Sequence, residues 1–300
     1  METAQIPLQG ILRAHQAWLV DSREGRQADL SGLTLNDLDL HEAKLARAIL
    51  TRTTLLDANL AGADLSKCQL ERADLQRANL AGADLTGAVL HGADLAGTWL
   101  SGCTLCESQM REASFRRAKL EHAQMQDASV QACSFLEASA SHGAFHQTSF
   151  YDADWTDSKL EAAQFYHCRL QHCRMLGISA REVSFVGAKL DHVDFSRADL
   201  GEAKFNRAET VQCVFRDADL RGADFREARL KGGDFTRAVL KGARFLGTQF
   251  SAVDWRGANL QGARDLTAQQ LQQAFTDSST ILPNGKRGPY MRFSGAEKPA

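Results

Sequence analysis

Cysteine and histidine are the side chains of this chain that could bind a metal ion or act in nucleophilic catalysis. The 300 residues include seven cysteines and nine histidines. His122 and His142 lie twenty residues apart, and Asp152, His172 and His192 repeat the same spacing. No segment resembles a nucleophile elbow, a phosphate-binding loop or a zincin helix. The chemistry of these residues therefore depends on the fold that places them.

A pattern with a period of five residues runs through residues 28–263 and decides where these side chains lie. It has 47 centre positions, numbered as multiples of five, and all but Ala140, Ala180 and Thr210 carry a large apolar side chain. A small residue stands two positions before nearly every centre. The frame never slips, which predicts a single repeat array without an inserted loop.

A period of five fits neither a helix nor a flat strand. On an α-helix every fifth residue moves about 140° around the axis, and on a strand odd spacing sends successive side chains to opposite faces. A chain that turns a corner once per five residues resolves both conflicts, because every centre then points inward. The small residue before each centre fits the crowded space beside the corner.

The second half of the array indicates how many corners complete a coil. Phenylalanine recurs every ten residues, with leucine at most of the centres between. A coil of four sides and twenty residues keeps the phenylalanines on two opposite faces, which a three-sided coil does not. The expected core is represented by these phenylalanines and by two leucines of the first half: Leu65, Leu85, Phe185, Phe195, Phe205, Phe215, Phe225, Phe235 and Phe245.

Segments such as ANLAG at residues 58–62, ADLSK at 63–67 and ADFRE at 223–227 resemble the A(D/N)LXX signature of pentapeptide-repeat proteins. The resemblance covers about four-fifths of the chain. It implies an all-β fold, a right-handed quadrilateral parallel β-helix. At four sides per coil, the 47 centres correspond to about twelve coils, in a rod of about 55 Å. The resemblance says little about function, because the consensus residues build the core.

Both ends of the array are expected to be capped, because an open solenoid end exposes apolar side chains and unpaired backbone groups. Residues 1–27 have helical apolar spacing and predict an N-terminal helical cap, with a partner-binding helix as the alternative. The β-helix is expected over residues 28–265. Residues 266–283 open with a capping box at Thr267 and predict a C-terminal helical cap. The basic tail, residues 284–300, is expected to be disordered, with a nucleic-acid arm as the alternative.

The middle of the array departs from the consensus. Methionine, valine, tryptophan or alanine replaces the usual centre at several positions between residues 110 and 180. Ala140 and Ala180 lie on the same face two coils apart, and the larger Ile178 and Val183 could fill the volume near the second. The sequence predicts a locally irregular segment there, from residue 130 to residue 185.

The repeat frame assigns the cysteines to the interior. Six of them occupy the inward small-residue position, where cysteine behaves as a small apolar residue: Cys68, Cys103, Cys133, Cys168, Cys173 and Cys213. Only Cys106 points outward. Unpaired thiols indicate a reducing compartment, and the N-terminus lacks the pattern of a signal peptide, so we expect a cytoplasmic protein.

The same frame makes the histidines vertical neighbours about 5 Å apart on the outside of the coils. His172 and His192, with Asp152 one coil earlier, could share a metal ion. The simpler interpretation is an exposed polar ladder, and no cofactor is predicted.

Charge and hydropathy limit the partners. The net charge of −2 and the pI near 6.5 give no general attraction to nucleic acid or to acidic membranes. Residues 28–150 carry fifteen acidic and ten basic side chains, whereas residues 151–265 carry seventeen and eighteen. No apolar run approaches the roughly 20 residues of a membrane span. The expected partner is another protein, with neither direct nucleic-acid binding nor membrane insertion.

A rod without insertions has no cleft that excludes water around a reacting group, so an enzyme is not expected. Regular repeats present extended surfaces, which makes a non-catalytic protein-interaction scaffold the first hypothesis. The family resemblance implies two alternatives: a DNA mimic that modulates DNA gyrase, and an adaptor or effector-associated protein of a bacterial secretion system. Gyrase-binding members have strongly acidic surfaces, and the quinolone-protecting ones have projecting loops; this chain has neither feature. The rod is expected to be a monomer or an end-to-end dimer.

Overall fold

The computed structural model describes residues 8–299 and shows a solenoid with a short helix at each end. Helix α1 spans Leu8–Val20 and helix α2 spans Ala268–Gln273. Between them, eight three-residue strands form one parallel sheet in chain order. The strands are β1 (Gln109–Arg111), β2 (Ser129–Gln131), β3 (Ser149–Tyr151), β4 (Arg169–Gln171), β5 (Lys189–Asp191), β6 (Glu209–Val211), β7 (Arg229–Lys231) and β8 (Gln249–Ser251). The first seven residues of the expected N-terminal cap, and residue 300 of the tail, lie outside the described residues.

Through the repeat array, each coil is joined to the next with a step of twenty residues. Met110 pairs with Val130, and Val130 pairs with Phe150. The other three sides, and the coils before β1, are joined by isolated parallel bridges with the same step, starting with Asp29 and Ile49. The last two bridges, Asp254 with Phe275 and Asn259 with Ile281, have steps of 21 and 22 residues. The four-sided parallel solenoid predicted from the sequence is therefore confirmed.

Hydrogen bonds at each corner explain why the residue before a centre is often aspartate or asparagine. The Oδ1 of Asp64 accepts hydrogen bonds from the backbone N and the hydroxyl of Ser66, at 3.1 and 2.6 Å. The next residue, Lys67, has left-handed backbone with a φ of 56°. Its N donates to the carbonyl of Thr86 in the following coil at 2.8 Å. Because this pattern repeats at each corner, many non-glycine residues hold a positive φ.

The core consists of vertical stacks of centre residues, and the nine core residues expected from the sequence have no exposed surface. Phe185 stacks on Phe205 with ring centroids 5.2 Å apart, and Phe195 stacks on Phe215 at 5.0 Å. Across the interior, Phe185 meets Phe195 edge-on at 5.5 Å and 73°. The two phenylalanine stacks thus lie on opposite sides of the interior, and their rings meet edge-on between the two sides.

The middle of the array is regular, so the irregularity predicted for residues 130–185 is wrong. Strands β2 to β5 keep the twenty-residue register without interruption. Ala140 is fully buried, and aromatic rings close by, such as Trp155 and Phe145 at 5.7 Å, supply volume to the core. A Cβ at Gly143 would lie 2.7 Å from the Phe145 ring, so the absent side chain makes room for it. Neighbouring residues compensate for one another in volume, and the backbone does not need to shift.

Helix α1 lies against the first coils. Leu8, Ile11 and Leu12 pack against the core. His15 is fully buried, and its Nδ1 accepts a hydrogen bond from the N of Ala28 at 3.0 Å. This bond satisfies a backbone group that has no earlier coil to pair with.

The C-terminal end of the solenoid closes with a short helix and a turn-rich segment. Helix α2 begins with the capping box of Thr267 and Gln270, and residues 284–299 follow as turns and bends. Ile281 and Arg287 form an antiparallel bridge, and Ala296 is only 3% exposed. Phe275 and Ile281 pair with Asp254 and Asn259 of the last coil, and Arg287 pairs in turn with Ile281, so the free edge of the solenoid is partly satisfied.

Candidate protein-binding surface

The histidines considered as a metal site lie in a column on the surface, but their side chains do not converge on a common point. The rings of His172 and His192 lie 5.1 Å apart at 34°, and Asp152 precedes them in the column. The Nδ1 of His192 lies 2.6 Å from the Oδ1 of Asp191. Within residues 8–299, no three histidine, cysteine, aspartate or glutamate side chains are grouped so that they could hold a metal ion. A column places ligands in a line, whereas zinc needs four arranged as a tetrahedron.

The second ladder has the same limitation. The rings of His122 and His142 stack at 5.1 Å and 7°. Their column continues to Gly102 in one direction and Ala162 in the other, and neither side chain offers a ligand atom.

The cysteines are unsuited to nucleophilic catalysis. Burial raises the pKa of Cys133 and Cys173 to about 11 and that of Cys68, Cys168 and Cys213 to about 12, and it also raises the pKa of Cys103. Cys106 is half-buried, and its thiol donates to the Oε1 of Gln126 at 2.8 Å. Burial raises its pKa as well. The reactive form is the thiolate, so none of these seven thiols is activated.

Trp99 is the largest exposed apolar side chain on the faces of the solenoid. It is 52% exposed, whereas Tyr151, the other exposed aromatic side chain of the repeat array, is 41% exposed. Trp99 stands immediately before the centre Leu100 and bridges to Asn79 below it and Lys119 above it. The Nζ of Lys119 lies 3.6 Å from the centroid of the Trp99 ring. The indole is thus held upright on the surface by a cation–π contact on one face.

The surface beside Trp99 contains two open corners and small side chains, and Glu121 of the next coil accepts a hydrogen bond from Ser101 at 2.9 Å. The corner residues Gly82 and Gly102 have φ values of 66° and 68°, and a Cβ at either would meet nothing within 4 Å. Ala81 and Ser101 fill the positions between these corners and the centres. Trp99 therefore projects from a flat neighbourhood. We call Trp99, Lys119, Ala81, Gly82, Ser101 and Gly102 the Trp99 patch.

Two protein-family models match most of the repeat array. The model described as "Pentapeptide repeat region" matches residues 148–225. The model "Pentapeptide repeats (8 copies)" matches residues 55–92, 68–105, 90–129, 218–254 and 234–264. Together the matches cover more than half of the chain. The chain belongs to the pentapeptide-repeat family.

Solved pentapeptide-repeat structures are similar at low identity, and no curated protein matches the sequence. HetL, from the cyanobacterium Nostoc sp. strain PCC 7120, is 23% identical over 94% of this chain and 100% of its own, with a TM-score of 0.34. A trypsin-treated variant of QnrB1, a plasmid-mediated fluoroquinolone resistance protein, is 18% identical over 58% and 91%, with a TM-score of 0.37. A thylakoid-lumen protein from Arabidopsis thaliana is 24% identical over 49% and 81%, with a TM-score of 0.22.

Sequence reasoning overlooked Trp99, although a signal was present. In this pentapeptide-repeat protein the position before the centre usually holds a polar residue such as Asp94 or Asn79. A tryptophan there cannot accept the corner hydrogen bond and must point to the outside. Within the described residues 8–299, neither helix is long and apolar enough to cross a membrane.

Proposed function

We propose that this pentapeptide-repeat protein is a non-catalytic scaffold of the cytoplasm that binds a partner protein through the Trp99 patch. The exposure of Trp99 is the observation that carries the proposal. Tryptophan is enriched at the energetic centres of protein interfaces, where it inserts into a pocket of the partner. The flat surroundings would let a partner reach the indole from the side of the open corners. Thiols buried one by one in the core suit a reducing compartment.

The exposed part of the indole is large enough to anchor a complex. A tryptophan side chain can bury up to about 250 Å². Half of this, about 130 Å² at 25 cal/mol per Å², corresponds to about 3 kcal/mol of apolar transfer free energy. Loss of that contribution weakens binding about 100-fold, since 1.4 kcal/mol is a factor of ten.

The charge pattern argues against the alternative of a DNA mimic that modulates gyrase. A mimic of the phosphate backbone needs rows of unpaired carboxylates. At the Trp99 patch the ammonium of Lys119 lies over the indole, and the carboxylate of Glu121 accepts a hydrogen bond from Ser101 at 2.9 Å. Elsewhere many carboxylates are engaged by arginines, for example Asp57 by Arg77 at 2.7 Å.

A pull-down from the native host tests the proposal. Tagged wild-type protein is compared with Trp99→Ala and with Leu246→Ala, in which another exposed apolar side chain, 59% accessible, is removed. We expect a stoichiometric protein partner with the wild type and with L246A, and its loss with W99A. Thermal unfolding of all three proteins verifies that the fold is retained.

One outcome would contradict the proposal. Equal recovery of the partner by W99A would show that the Trp99 patch is not part of the interface. Recovery of gyrase subunits or of secretion-system components would identify the process, and in those cases dependence on Trp99 decides whether the patch is the contact.

A further inference from the structure

A second run of corner glycines opens a furrow in the last third of the solenoid. Gly222, Gly242 and Gly262 follow one another in a corner column with φ values of 68°, 70° and 69°. Glu182 and Glu202 hold the same corner of earlier coils with a φ of 59° each. The corner conformation thus accepts side chains, and the glycines leave this stretch uncovered. A Cβ at Gly242 would meet nothing within 4 Å.

Basic side chains form both walls of this furrow. A cleft of about 480 Å³ at its start is lined by Arg181, Glu202, Lys204, Arg221, Gly222, Asp224 and Arg244. One coil further, Lys241 follows Arg221 on one wall and Arg264 pairs with Arg244 on the other. We call the six cations the basic furrow: Arg181, Lys204, Arg221, Lys241, Arg244 and Arg264.

Three carboxylates near the furrow are already engaged by arginines. Asp224 is 8% exposed, and both its oxygens accept from Arg226, with the Nη2 at 2.6 Å. Asp219 accepts from the Nε of Arg221 at 2.8 Å. Glu202 lies 3.5 Å from the Nη2 of Arg181. These three carboxylates are therefore not free to balance the remaining cations.

Four of the six cations have no carboxylate oxygen within 4.0 Å among residues 8–299: Lys204, Lys241, Arg244 and Arg264. All four are exposed. Arg244 and Arg264 are direct neighbours in adjacent coils, and like charges placed side by side repel each other. An anionic ligand would relieve that repulsion and accept hydrogen bonds from both guanidinium groups.

We propose that the basic furrow binds an acidic, extended segment of a partner protein. The inference deepens the proposed function and rests on it, because it specifies the chemistry of a protein partner. From Arg181 to Lys241 the furrow crosses three coil steps of about 4.8 Å, or about 14 Å, which an extended peptide spans with four or five residues. The open glycine corners let the peptide backbone approach the floor, and carboxylates on either side reach the two walls.

The lining favours a peptide over a nucleic acid. Proteins that bind single strands stack the bases on aromatic side chains, and none of the residues that line the cleft is aromatic. A duplex is read by an element that protrudes into its groove, whereas this site is concave. The overall charge of −2 also gives no general attraction to a polyanion.

Fluorescence anisotropy with a fluorescein-labelled hexaglutamate peptide tests the inference on the full chain. We compare the wild type with Lys241→Glu/Arg244→Glu, and with Arg169→Glu/Lys189→Glu as a control. The control changes two exposed bases on another face by the same charge. We expect the furrow variant to bind at least tenfold more weakly and the control to stay within twofold of the wild type. Circular dichroism melting verifies that both variants fold.

Three results would overturn the inference: no binding of hexaglutamate by the wild type, an equal loss in both variants, or tighter binding of a hexathymidylate oligonucleotide. W99A is measured in the same assay and is expected to bind hexaglutamate as the wild type does. If the peptide fails to bind while W99A still loses the cellular partner, the scaffold function stands and the basic furrow is rejected. If the peptide binds at the furrow while the partner is independent of Trp99, the Trp99 patch is rejected instead.

Discussion

Replacing Phe225 by alanine probes the aromatic stack that fills the second half of the solenoid. Phe225 is fully buried. Its ring stacks on Phe205 at 5.0 Å and on Phe245 at 5.4 Å, and meets Phe235 edge-on at 6.0 Å. Removal of a buried phenylalanine costs about 3–5 kcal/mol, and each aromatic pair contributes about 0.5–1.5 kcal/mol beyond its buried area. With three aromatic partners lost, we expect a loss near 5 kcal/mol in the free energy of unfolding.

Equilibrium unfolding in urea measures this loss as the change in midpoint multiplied by the slope of the transition. Phe275→Ala serves as the matched control, because it is the same chemical change at a ring that is 59% exposed. The control is expected to cost less than about 1 kcal/mol. A cost below about 1 kcal/mol for F225A would refute the reasoning, since it would mean that the centre positions do not form a packed interior.

Two further predictions concern the N-terminal cap and the thiols. Burial lowers the pKa of His15 below its ordinary value of 6.5, so the unfolded chain takes up a proton more readily than the folded one. The stability that neutral His15 contributes is complete above pH 6.5 and decreases as the pH falls below it. Thermal unfolding between pH 5 and 7.5 should show this dependence, and His15→Leu should flatten it; an unchanged slope would contradict it. Thiol labelling of the native protein should modify only Cys106 rapidly, and Cys106→Ser should abolish that reaction. Rapid labelling of the C106S variant would show that the cysteines assigned to the core are accessible.

The repeat body was largely predictable, and its ends and surface were not. The period-five spacing indicated one corner per five residues, and the phenylalanine alternation indicated four sides per coil. Together they were enough to predict the four-sided solenoid. The prediction failed where neighbours compensate for one another, as Ala140 and Gly143 do with the rings near Phe145. The sequence also contained no signal for the bridge between Ile281 and Arg287, because the tail has no repeat pattern. Trp99 was overlooked because the repeat pattern is defined by the inward positions, and Trp99 lies at an outward one.

The sequence by itself determined which residues point inward, because the burial of one apolar centre per side is a local consequence of the five-residue period. It also determined the corners, where an aspartate such as Asp64 binds the backbone two residues later. Only the tertiary structure decided which outward side chains meet, because their neighbours lie twenty residues away in adjacent coils. The Trp99–Lys119 contact and the like charges at Arg244 and Arg264 arise from that stacking. Function depends on these contacts between coils, which the repeat consensus leaves free to vary.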